Sequence, residues 1–89
     1  MPQYDVVDVE PLDGYHLRLT FEDGTSGVVD VARRINFTSV FQPLSDPGYF
    51  RAVRVNPETR TICWENGADL DPVVLYCLAT GLPIPGEDN

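Results

Sequence analysis

Three carboxylates, Glu65, Asp69 and Asp71, gather around one glycine in the run Trp64-Glu65-Asn66-Gly67-Ala68-Asp69-Leu70-Asp71-Pro72. Converging carboxylates can hold a hard cation or, with a histidine, divide acid–base work between them. His16 is the only histidine in the chain. A hydrolase or metal-dependent enzyme would therefore have to bring Asp23, Asp30, Asp69 or Asp71 to it. The run does not follow an EF-hand loop, because its glycine is misplaced and the closing bidentate glutamate is missing. A simpler reading makes Asp71 a helix cap and sets Asp69 in the favourable field at that helix's positive end. An aspartate before a helix-starting proline is a routine N-cap.

The other reactive side chains are spaced for structure. Cys63 and Cys77 lack the C-x-x-C spacing of a redox or zinc pair, and one histidine cannot complete a four-ligand site. Ser26, Ser39 and Ser45 stand in turn or capping contexts, with no nucleophile elbow. Gly14, Gly24, Gly27, Gly67 and Gly81 are scattered singly and build no phosphate-binding loop. Trp64 shares a strand face with Ile62, which makes it a core anchor before it is a stacking platform. No catalytic residue, metal or cofactor is expected.

Charge restricts the partners. The chain of 89 residues carries a net charge of −8, distributed as −6 over residues 1–30, +3 over 31–60 and −5 over 61–89. Such a field repels phosphate backbones, so autonomous nucleic-acid binding is disfavoured. A nucleic-acid-associated regulator would have to gather Arg33, Arg34, Arg51, Arg54 and Arg60 on one face. The plainer expectation is that these arginines pair with the acidic flanks. With 43% hydrophobic residues, the chain is too apolar for disorder, and no apolar run approaches the length of a membrane-spanning helix. The N-terminus lacks the features of a signal peptide, and the two cysteines read as reduced thiols, so a cytoplasmic location is expected.

The elements that must position these residues are short. Val7 and Val9 alternate with Asp8 and Glu10. After the Asp13-Gly14 turn, Tyr15, Leu17, Leu19 and Phe21 alternate with His16, Arg18 and Thr20. The Glu22–Thr25 turn returns the chain into a third strand from Ser26 to Val29. Asp30 is placed to cap a short helix reaching Ile35, and Asp46-Pro47 repeats the cap of Asp71-Pro72. Residues Arg51–Asn56 and Thr61–Trp64 read as a strand pair with Val53, Val55, Ile62 and Trp64 inward. A last helix runs from Pro72 to a stop before Gly81. The order β-β-β-α-(α)-β-β-α predicts an α+β fold: a mainly antiparallel sheet of about five strands with short helices on one face. Residues 1–82 form its single domain and 83–89 a polar tail. The last helix is apolar almost all round, which one sheet layer covers on one side only. Val74, Leu75, Tyr76, Cys77, Leu78 and Ala79 are therefore candidates for a homodimer or partner contact.

A spaced set of residues resembles a small bacterial family known as domain of unknown function 2442 (DUF 2442). The set begins with Val9-x-Pro11 and Gly14-Tyr15-x-Leu17-x-Leu19-x-Phe21-x-Asp23-Gly24. It continues with Gly27-x-Val29-Asp30, Phe41-x-x-Leu44-x-Asp46 and Tyr49-Phe50. It closes with Ile62-x-Trp64-x-Asn66-Gly67-x-Asp69-Leu70-Asp71-Pro72-x-x-Leu75-Tyr76. Glu65 stands where the family is expected to carry proline. The resemblance implies a short α+β domain, joined in some members to a helix-turn-helix domain, and implies no reaction. It adds to the reading reached from charge and size: a non-enzymatic interaction or regulatory module, antitoxin-like or adaptor-like, acting on a protein partner.

Overall fold

The computed structural model describes residues 4–82. Five strands and two α-helices are joined by 3₁₀ turns: β1 (Val6–Pro11), β2 (His16–Phe21), β3 (Ser26–Asp30), α1 (Pro47–Phe50), β4 (Arg54–Asn56), β5 (Thr61–Cys63) and α2 (Pro72–Thr80). All strand pairs are antiparallel, as the turn signals require. They form a three-stranded sheet ordered β1-β2-β3 and a two-stranded sheet of β4 and β5. Between the two sheets, the Val6 N–H donates to the Arg60 carbonyl at 2.9 Å.

The alternation in β2 sets the core. Leu17, Leu19 and Phe21 are buried, together with Val29, Val53, Ile62, Trp64 and Leu75, while Tyr15 and Val55 pack against them half-buried. In β1 the expected alternation fails: Val6 is buried and Val7 is 54% exposed. A register shift between Val6 and Asp8 against β2 turns Val7 outward, the usual consequence of one extra residue in a strand.

The segment after β3 also departs from expectation. It makes only a 3₁₀ turn over Val31–Arg33, and the Asp30 side chain forms no cap hydrogen bond. Asp30 is instead drawn to His16, its cross-strand neighbour on β2. The two aspartate–proline caps behave as read: Asp46 accepts from the Gly48 N–H at 3.0 Å and Asp71 from the Val73 N–H at 2.8 Å. Gly81 ends α2 at φ 83°, its N–H bonded to the Cys77 carbonyl, the left-handed geometry a helix C-terminus favours. The polar tail expected at 83–89 lies outside the described residues.

Helix α2 is seated on β3 through a glycine. A Cβ built on Gly27 would lie 2.4 Å from the Ala79 carbonyl oxygen and 2.9 Å from the Ala79 Cβ. The backbones touch because neither residue carries bulk. Gly27→Ala is therefore expected to lose about 1–3 kcal/mol of stability through overpacking, and Leu19→Ala about 2–5 kcal/mol through a core cavity. Denaturant midpoints measure both. An unchanged midpoint for Gly27→Ala would contradict the seating of α2 on this strand.

Candidate functional site

The run that opened the sequence reading folds into a set of ties between elements. Trp64 is 1% exposed and its indole N–H donates to the Phe50 carbonyl at 3.0 Å, fixing β5 to α1. Gly67 adopts φ 90° and lets the chain reverse, so that the Trp64 N–H reaches the Ala68 carbonyl at 2.9 Å. Asn66 acts in three directions. Its backbone N–H donates to the Tyr49 hydroxyl at 3.0 Å, its amide nitrogen to the Val40 carbonyl at 2.8 Å, and its Oδ1 accepts from the Ala68 N–H at 3.1 Å. Asp69 forms an isolated bridge to Cys63, and the Leu70 carbonyl accepts from the buried Thr61 hydroxyl at 2.7 Å. Pro72 then occupies the first turn of α2.

The carboxylates do not converge on His16. Among the described residues, only the Asp30 carboxylate approaches it, with Oδ2 at 3.5 Å from Nε2, while Nδ1 lies 3.0 Å from the Asp13 carbonyl oxygen. Asp23 is committed elsewhere: it accepts from the Tyr76 hydroxyl at 2.6 Å, which ties α2 to the β2–β3 turn. Among the described residues, no three histidine, cysteine, aspartate or glutamate side chains are grouped to hold a metal. Cys63 and Cys77 are both buried and unbridged. Two central arginines meet the acidic N-terminal part of the chain, Arg60 with Asp5 at 3.4 Å and Arg51 with Asp13 at 3.9 Å. Arg18 pairs with Glu10 at 2.8 Å.

Helix α2 divides the candidate interface residues. Leu75 is buried in the core, with Tyr76, Leu78 and Ala79 packed against it, and the Tyr76 ring stands edge-on to Phe21 at 4.9 Å. Cys77 is buried outside that cluster. Val74 turns the other way, into a groove of about 260 Å³ whose floor is Ile35, Phe41, Leu70 and Leu75. Arg34, Asp69 and Asp71 border it, all three exposed. The two aspartates first read as a cation or acid–base pair thus stand on the border of an apolar groove. The Tyr76–Asp23 tie could not be found by spacing, since its partners are 53 residues apart.

The family model for the protein of unknown function DUF2442 matches residues 6–81. The chain belongs to that family. Among solved structures it is similar to the crystal structure of "Putative DNA Binding Protein NE0471" from Nitrosomonas europaea, at 25% identity and a TM-score of 0.74. The likeness covers 91% of this chain and 54% of that one, so this chain spans about half the length of its structural neighbour. No curated protein matches the sequence.

The hydrogen bond between Tyr76 and Asp23 predicts a pH dependence with two limbs. Accepting first from Tyr76 and then from the Thr25 backbone holds the Asp23 carboxyl below the ordinary aspartate value. The same bond to Asp23 raises the Tyr76 hydroxyl above the ordinary tyrosine value. For Asp23, the stabilisation is present above the unfolded aspartate pKa of about 4 and fades as pH falls through the lower native value. For Tyr76, it is present below the unfolded pKa of about 10 and fades as pH rises through the raised native value. Tyr76→Phe should flatten both limbs of a stability–pH curve, and a curve unchanged in shape would remove the tie. Asp71→Ala should cost about 1 kcal/mol through the lost cap, read as a lower denaturation midpoint.

Proposed function

Starting from a family that carries no assigned reaction, we propose that this chain is a non-enzymatic interaction module whose groove beside α2 takes a basic segment of a protein partner. The observation that carries the reading is the groove itself. Its floor is apolar, and its border carries two exposed carboxylates, Asp69 and Asp71, against one arginine, Arg34. Apolar floor gives area to bury, and the carboxylates select the sign of the flanking charge. The −8 charge of the chain draws such a partner from a distance. A regulatory role, antitoxin-like or adaptor-like, accords with a small acidic domain of this kind.

The enzymatic alternative has little to work with, because among the described residues His16 has one carboxylate neighbour, Asp30, and Asp23, Asp69 and Asp71 lie apart from it. The DNA-binding name of the structural neighbour favours a second reading, in which exposed arginines such as Arg33 and Arg54 meet a nucleic-acid backbone. Against it stand the net charge and the pairing of Arg18, Arg51 and Arg60 with carboxylates.

Affinity capture from the organism of origin tests the leading reading when it is run on matched variants. The parent should retain a partner that is lost with Val74→Glu and weakened at least several-fold by Asp69→Lys, with capture falling as salt rises. Circular dichroism must show both variants folded. Identical captured proteins on parent and variants would reject the groove. Binding of the parent to a random DNA duplex at low salt would favour the second reading.

A further inference from the structure

Among the described residues, the outer edge of β3 has no strand beside it, and the sequence there is compatible with a second copy of itself. The pairing with β2 sets the phase. The Phe21 N–H donates to the Thr25 carbonyl at 2.8 Å, and the register places Leu19 opposite Gly27 and Leu17 opposite Val29. Bonded and non-bonded pairs alternate along an antiparallel ladder. The backbone groups of Gly27 and Val29 therefore point to β2, and those of Ser26 and Val28 point away from it. Among the described residues, no hydrogen bond reaches the backbone of Val28 from that side. The Val28 side chain is 46% exposed on the face opposite the seat of α2.

From this edge we propose that two copies of the chain associate through β3, antiparallel about a twofold axis at Val28, joining two three-stranded sheets into one of six strands. The edge is compatible with its own twofold copy in register. With Val28 opposite its own symmetry mate, Ser26 of each copy meets Asp30 of the other. No carboxylate faces a carboxylate, and a β-branched pair meets at the centre, as cross-strand pairing favours. A twofold axis makes the contact self-complementary and closed. The edge is short, five residues, so the association is weak and concentration-dependent. It is independent of the groove reading, because neither Val28 nor Ser26 borders the groove.

Sedimentation of the purified chain between about 10 µM and about 1 mM reads the association directly. The expected result is a monomer–dimer equilibrium strengthened by added salt, because screening relieves repulsion between two chains of net charge −8. Binding of a basic partner in the groove should respond to salt in the opposite sense, so the two ideas fail separately. Val28→Lys, a charge on a free edge, should weaken dimerisation at least tenfold while the monomer stays folded. Val28→Pro removes an N–H that β2 does not use and should act the same way, whereas Val28→Thr keeps the branched side chain and should retain the dimer. A monomer at every concentration and salt overturns the proposal. So does a dimer that folded Val28→Lys and Val28→Pro leave intact.

Discussion

The indole N–H of Trp64 must find an acceptor inside the core, and the Phe50 carbonyl supplies it at 3.0 Å. A buried donor left without a partner costs on the order of 1–3 kcal/mol, so this bond restricts where α1 can lie relative to β5. Phe50 lies at the C-terminal end of α1, whose N-terminus Asp46 caps, and its ring stacks near Trp64 at 5.9 Å. Tyr15 then packs on Phe50 at 5.0 Å and on Phe37 at 5.2 Å. Thus one polar atom of one aromatic side chain links the two-stranded sheet, the short helix and the turn before β2. For a domain this small, whose core is near the lower limit of self-sufficiency, directional ties of this kind supplement burial.

Tyr15 shows what such ties hold in place. It sits at φ 64° immediately after Gly14 at φ 69°, two left-handed residues in succession. A tyrosine in that region is strained, and it persists only when its surroundings fix it. The fixing groups are the two aromatic neighbours and a hydrogen bond from its hydroxyl to the Ser45 carbonyl. The strain stands at the entry to β2, whose buried leucines carry the centre of the core, and has a packing explanation.

Sequence legibility followed the range of the interactions. Features set within a few residues were readable: the period-two burial of Leu17, Leu19 and Phe21, both aspartate–proline caps, the Gly81 stop, and five antiparallel strands. Features set by distant neighbours were not. The division into two sheets depends on how β1 meets β4 and β5. The outward turn of Val7 depends on a register shift that no residue type announces. Asp30 had the local signature of a cap, but its carboxylate lies 3.5 Å from the ring of its cross-strand partner His16, and the 3₁₀ turn that follows receives no side-chain cap from it. The apolar circumference of α2 was legible, whereas its division was not. Which residues face Leu70 and Phe41 and which face Phe21 depends on contacts across the whole chain.

The residues on which the sequence resemblance rested have structural work to do. Trp64, Asn66, Gly67 and Asp71 respectively anchor a helix, join three segments, reverse the chain and cap α2. Tyr76 ties that helix to the β2–β3 turn. Substituting any of them disturbs the arrangement of elements, so they hold the scaffold beside which the two proposed surfaces stand. Those surfaces are the groove border at Asp69 and Asp71 and the open edge at Val28. Asp71 belongs to both descriptions, as a helix cap through Oδ1 and as part of the groove border. The helix α2 is therefore the element through which scaffold and surface are coupled. Its position is set on one side by Gly27 and Asp23 and on the other by the turn that Asn66 holds. A change that loosens either support would move the groove wall without touching a residue in the groove.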